Sequence, residues 1–133
     1  MKTNYFKWIS ILFTFMLILS SCSKEDAQEN DLTGTWMGLF DGENTTFIFN
    51  SNGTFTRIFE DEESGIVTQT NNKYYVDGNT LRIDFNIENG IVDDYTIGTY
   101  SISGKTLTYI YTWHDGQGKW DHEEEETCIM TKK

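Results

Sequence analysis

From Leu32 to the end of the chain, apolar and polar positions alternate in short runs separated by turn-forming residues. The turn signals are Asp41-Gly42, Ser51-Asn52-Gly53, Ser64-Gly65, Asp77-Gly78-Asn79, Glu88-Asn89-Gly90, Ser103-Gly104-Lys105 and Asp115-Gly116-Gln117-Gly118. Between them the chain is rich in Thr, Ile, Val, Tyr, Phe and Trp, residues that suit a pleated, half-buried surface. This pattern predicts an all-β domain with eight strands near 34–40, 44–50, 54–60, 66–76, 80–87, 91–102, 106–113 and 119–130. Proline is absent, so no strand is barred from pairing on both sides. Helical periodicity does not appear over any useful length.

Parity fixes the registers. A three-residue loop with Gly53 left-handed pairs Phe49 with Phe55 and Phe47 with Arg57, which gathers Phe47, Phe49, Phe55 and Phe59 on one face. The turn at Gly78-Asn79 pairs Val76 with Leu81 and Tyr74 with Ile83, giving an apolar stripe of Leu81, Ile83, Phe85 and Ile87. At Gly104-Lys105, Ile102 meets Leu107 and Tyr100 meets Tyr109. One conflict arises in the sixth strand. Its first half places Tyr95 and Ile97 inside and its second half Tyr100 and Ile102, so a β-bulge is expected at Gly98-Thr99. Tyr74 to Leu81 also resembles Tyr100 to Leu107, a weak repeat of strand, tight turn, strand. Successive hairpins imply a meander, and eight meander strands close most simply into a single antiparallel up-and-down β-barrel.

The N-terminal segment reads differently. Lys2 and Lys7 precede the apolar run from Trp8 to Leu19, and small residues follow before Cys22. This is the order of a secretory signal peptide, and its apolar stretch of about 12 residues falls short of the roughly 20 that cross a bilayer. Leu19-Ser20-Ser21-Cys22 resembles the lipobox of bacterial lipoproteins. The resemblance implies cleavage before Cys22, acyl chains on its sulfur and its new amine, and membrane partnership through those chains. Residues 1–21 are thus expected to be a signal peptide, 22–31 a lipidated cysteine with an acidic tether, and 32–133 the barrel. The Lys24-Glu25-Asp26 step looks like the short acidic signals that send some lipoproteins to the cell surface; the periplasmic face of the outer membrane is the alternative.

Charge and cysteine usage narrow the function classes. Beyond residue 21 the chain holds eight basic and 21 acidic residues, a net of −13. That argues against nucleic acid, which needs a basic footprint, and against lying flat on an anionic membrane. With Cys22 acylated, Cys128 has no disulfide partner and is expected to be a buried thiol. No nucleophile elbow, metalloprotease helix or phosphate-cradling loop is present, so no catalytic residues and no cofactor are assigned, and the chain reads as a non-enzyme. His114, Asp115, Asp121 and His122 flank the last hairpin loop, but their spacing fits no established metal pattern.

Leu32-Thr33-Gly34-Thr35-Trp36, followed by Phe47 to Phe55 and by Gly98-Thr99-Tyr100 with Leu107, resembles the small lipocalin-like, calycin-type domains of bacterial lipoproteins. Gly34-Thr35-Trp36 matches the Gly-x-Trp of lipocalins, whose Trp closes one barrel end beneath a late basic residue. Here Lys132 and Lys133 fall outside the last predicted strand. A barrel of eight strands either fills with side chains or holds one small ligand. The candidate ligand-binding residues of the interior are Arg57, Tyr74, Tyr95, Tyr109, Tyr111 and Trp113. Arg57 shares a face with four phenylalanines, where a charge needs a partner, and buried tyrosine hydroxyls likewise need one. Either the last strand bulges or frays at its four consecutive glutamates, or Glu124 and Glu126 line a polar mouth and are expected to meet Arg57. Two functions follow: binding of a small apolar or amphipathic molecule, or a protein-interaction module built on a solid barrel.

Overall fold

The structure, a computed structural model, describes residues 32–133. The expected signal peptide, Cys22 and the expected tether lie outside the described residues. Eight strands follow one another: β1 Gly34–Phe40, β2 Glu43–Phe49, β3 Thr54–Asp61, β4 Gly65–Asp77, β5 Thr80–Phe85, β6 Asp94–Ser103, β7 Thr106–Asp115 and β8 Glu126–Lys132. Each pairs antiparallel with its neighbour in sequence, and β8 returns to β1 to close the barrel. Every strand of the wall therefore has both partners within residues 34–132.

The expected hairpin registers are present. Phe47 opposes Arg57 and Phe49 opposes Phe55, Val76 opposes Leu81 and Tyr74 opposes Ile83, and Tyr100 opposes Tyr109. Gly53 has φ 84, the left-handed backbone that the three-residue loop demands. These turns all lie at one end of the barrel, and that end is sealed. Trp36 is fully buried there and donates from Nε1 to the Leu32 carbonyl at 2.8 Å. The Tyr74 hydroxyl donates to the Asn50 carbonyl at 2.7 Å.

Lys132 corrects the count that placed it outside the barrel. It belongs to β8 opposite Trp36, and its ammonium lies 5.2 Å from the Trp36 ring centre. The last strand starts and ends later than expected because residues 119–125 leave the wall. In that stretch only the isolated bridge between His114 and Asp121 remains, and Glu123, Glu124 and Glu125 are exposed. Four consecutive glutamates cannot alternate into an apolar interior without burying charge, so the segment loops out.

The bulge is in a different strand from the one expected. β6 pairs through Gly98 without a break, whereas the register shifts in β4 between the partners of Phe55 and Arg57. In β6 the inward set is Thr96, Gly98, Tyr100 and Ile102. The expected conflict disappears because polar Thr96 is inward and Tyr95 outward. A hydroxyl can face the interior because Tyr109 Oη lies 3.0 Å from Thr96 Oγ1 while donating to the Leu81 carbonyl at 3.1 Å.

The core fills the sealed half and the middle of the barrel. Phe47, Phe49 and Phe55 pack edge to face or tilted with centroids 4.8–5.9 Å apart, and Leu81, Ile83, Leu107, Tyr109 and Met130 complete the layer. Cys128 is buried there as a free thiol, as expected.

Candidate binding site at the barrel mouth

The other end of the barrel carries the long connections, residues 62–64, 86–93 and 116–125, together with the tight Asp41-Gly42 turn. Both turn residues have positive φ, 54 and 77, as a two-residue hairpin of this twist requires. That geometry sets Phe40 opposite Glu43. Partners across a ladder share a face, so Glu43 follows buried Phe40 into the interior. There it meets Arg57, whose Nη2 donates to Glu43 Oε2 at 3.0 Å.

Arg57 is 7% exposed. Its guanidinium lies between two rings, 4.9 Å from the centre of Phe40 and 4.3 Å from that of Phe59. Burial pulls its pKa below the usual guanidinium value, and the nearby charges of Glu43 and Asp41 oppose that pull. The charge thus has the partner that its inward register demanded, and the partner is Glu43 rather than Glu124 or Glu126.

Above Arg57 opens a cup of about 410 Å³. Its aromatic wall is Phe85 and Trp113, whose centroids are 5.3 Å apart, with Trp120 on the rim. Its polar lining includes Asp41, Arg57, Gln69, Asp94, His122 and Glu126. Tyr111 stacks on Phe40 at 5.1 Å and donates to Glu126 Oε2 at 3.0 Å, which fixes that carboxylate at the mouth. Burial, and the hydrogen bond to Glu126, push the Tyr111 phenol well above its ordinary pKa. Asp94 is also raised, by desolvation first and then by the charges of Asp93 and Asp115.

The loop over the mouth is built by Asp115. Its carboxylate accepts from the amides of Gln117 and Lys119, both at 2.9 Å, and the His122 amide donates to the Trp113 carbonyl at 3.0 Å. Gly116 donates to the Asp93 carbonyl at 2.7 Å, and an added Cβ would strike the Val92 carbonyl. The loop is thereby bound to the β5–β6 connection, and Trp120 and His122 pack edge to face at 5.0 Å.

The six residues expected to line the interior separate into three groups. Arg57 and Trp113 line the cup, and Tyr111 anchors its wall. Tyr74 and Tyr109 are inward, but they sit in the filled part of the barrel with their hydroxyls bonded to main chain. Tyr95 is a correction: it faces outward, because β6 keeps its register where a bulge was expected. Its ring stacks on His114 at 4.9 Å and lies 4.0 Å beneath the Arg82 guanidinium. His114 in turn bonds Asp121 at 2.8 Å. His114, Asp115, Asp121 and His122 are dispersed between outer face, loop core and cup. Among the described residues no three His, Cys, Asp or Glu side chains converge in a metal-binding arrangement.

Sequence reasoning missed Glu43, Gln69, Asp94, Trp120 and His122 as site residues. The Asp41-Gly42 signal was sufficient to find Glu43, since that turn pairs positions 40 and 43. Gln69 had no comparable signal, because β4 is polar on both faces around its bulge.

No family model matches the chain, and no curated protein matches it. Among solved structures it is similar to the crystal structure of apo short afifavidin at 14% sequence identity and a TM-score of 0.44. The likeness covers 77% of this chain and 96% of that one. At that distance it carries no argument about site or ligand.

Proposed function

We propose that the chain is a lipid-anchored envelope protein whose barrel binds one small amphipathic molecule in its open mouth. The observation behind the binding reading is the contrast between the two ends. One end is closed by Trp36, Leu32 and Tyr74, while the other keeps a cup of about 410 Å³ walled by Phe85 and Trp113 and lined with polar groups. Small-molecule sites are built as concave aromatic walls with a few placed polar atoms. The volume expected around Tyr74 and Tyr109 is filled, so the ligand site moves outward to the rim.

Native mass spectrometry of residues 32–133 purified from bacteria tests the reading. A small added mass that is lost in a Trp113→Ala variant is expected; a bare mass over repeated preparations would overturn it. Anchoring at the outer membrane draws on the lipobox sequence and is tested separately. A Cys22→Ala chain is expected in the soluble fraction, and its continued partitioning with membranes would refute lipidation at that sulfur.

The second reading, a surface interaction module, draws on one observation. Met37 and Leu39 of β1 and Ile129 of β8 are exposed side by side on the outer wall, an arrangement more apolar than scattered surface residues.

A further inference from the structure

Two side chains that line the cup each carry a buried polar atom without a hydrogen-bond partner: Arg57 Nε, a donor, and Gln69 Oε1, an acceptor. They belong to residues that face each other across β3 and β4, and both side chains line the cup. Leaving such a group unpaired costs about 1–3 kcal/mol. Arg57 cannot turn outward to wet its Nε–H without giving up the Glu43 ion pair and the Phe40 and Phe59 rings. A guest or a water that accepts from Arg57 and donates to Gln69 answers both atoms together. The pair therefore fixes the character of one end of the guest, a donor beside an acceptor, and the rest of the cup fixes its charge and shape.

The charge is negative. Asp41, Asp94 and Glu126 line the cup with only Arg57 and His122 against them, and Arg57 is already matched by Glu43 at 3.0 Å. Asp94 is held above the usual carboxylate range by desolvation first and then by Asp93 and Asp115. An anion entering this space would meet carboxylates at close range, whereas a cation meets them and the faces of Trp113, Phe85 and Trp120 together.

We infer that the mouth selects a small organic cation with a flat unsaturated body and a neutral end, such as a carboxamide, that pairs with Arg57 Nε and Gln69 Oε1. This rests on the mouth-binding reading above. The test uses ¹⁵N NMR of residues 32–133, which contain every strand of the closed barrel, and reads the indole N–H signals. Trp113 and Trp120 report on the mouth, and Trp36 at the sealed end is the control.

Three probes share the flat ring and vary in charge and amide: 1-methylnicotinamide, a cation with a carboxamide; 1-methylpyridinium, the same charge without it; and nicotinate, an anion with a carboxylate in place of the amide. The cationic amide is expected to shift Trp113 and Trp120 but not Trp36. It should bind about tenfold more tightly than nicotinate and about fivefold more tightly than 1-methylpyridinium. In Gln69→Leu the second gap should close while the first remains. Nicotinate binding as well as the cationic amide would overturn the charge assignment, and a Gln69→Leu protein that keeps the amide preference would overturn the pairing. Either result leaves mouth binding standing. Silence of Trp113 and Trp120 toward all three probes would overturn this inference, whereas mouth binding itself stands or falls on the native mass spectrum.

Discussion

Arg57 and Glu43 show what an inward charge needs in order to persist among phenylalanines. The guanidinium is buried and is compensated first by a carboxylate that is 37% exposed at the side chain, then by the more distant Asp41 and by ring faces. Removing only the carboxylate by Glu43→Gln leaves a cation with too little opposite charge and is expected to cost about 1–3 kcal/mol in urea unfolding, below the full buried-pair value because Glu43 is partly wet. Removing both, Arg57→Met with Glu43→Gln, is expected to return stability to within about 1 kcal/mol of the parent. A double variant as weak as the single one would contradict the ion-pair assignment. Tyr109 gives a smaller, cleaner case. Tyr109→Phe removes a hydroxyl that serves Leu81 and Thr96 and should cost about 1 kcal/mol, with the barrel intact by circular dichroism.

Single strands are controlled by what their neighbours allow. β6 is continuous because Gly98 lets the β7 backbone come close: an added Cβ would drive into the Ile110 carbonyl and the Tyr111 Cα, and neither can move without breaking the ladder. Gly98→Ala is therefore expected to lower stability by about 3 kcal/mol, chiefly through overpacking against main chain, whereas Gly90→Ala, which meets open space and is strained only by its φ of 77, should cost less. Equal losses at the two positions in a denaturant titration would contradict this account. The hairpin registers were legible in the chain because each tight turn fixes parity and one face is strongly apolar. The choice of which strand bulges was not. β4 carries Thr68-Gln69-Thr70-Asn71-Asn72, with no apolar side to mark a change of face, and β6 tolerates an inward threonine only because Tyr109 is there to bond it.

Across the whole molecule, closure is what removes free edges. β8 is the last strand and supplies partners to both β1 and β7, so a chain ending at residue 125 would expose two edges and is expected to aggregate rather than give a monomeric barrel in size-exclusion chromatography. The sealed interior also sets the response to alkali. Burial raises the Cys128 thiol from 9.0 to about 12 and lifts the Tyr109 and Tyr111 phenols above their ordinary value. The folded state keeps these protons at a pH where the unfolded chain has released them. Stability is therefore complete below the unfolded values and falls as pH rises past them, the thiol's share being lost by about 12. The melting temperature should decline steadily from about pH 9 upward; a flat profile would mean that these groups titrate freely.

The chain by itself determined the strand count, the tight-turn registers and the stripe of phenylalanines that includes Arg57, because period-two patterning and turn chemistry act over a few residues. The tertiary structure alone decided that the interior is solid at one end and open at the other, that Glu43 answers Arg57, and that Gln69, Trp120 and His122 share a cup. Those outcomes depend on which strands and loops meet after closure, and such meetings join residues whose separation in sequence carries no local signal.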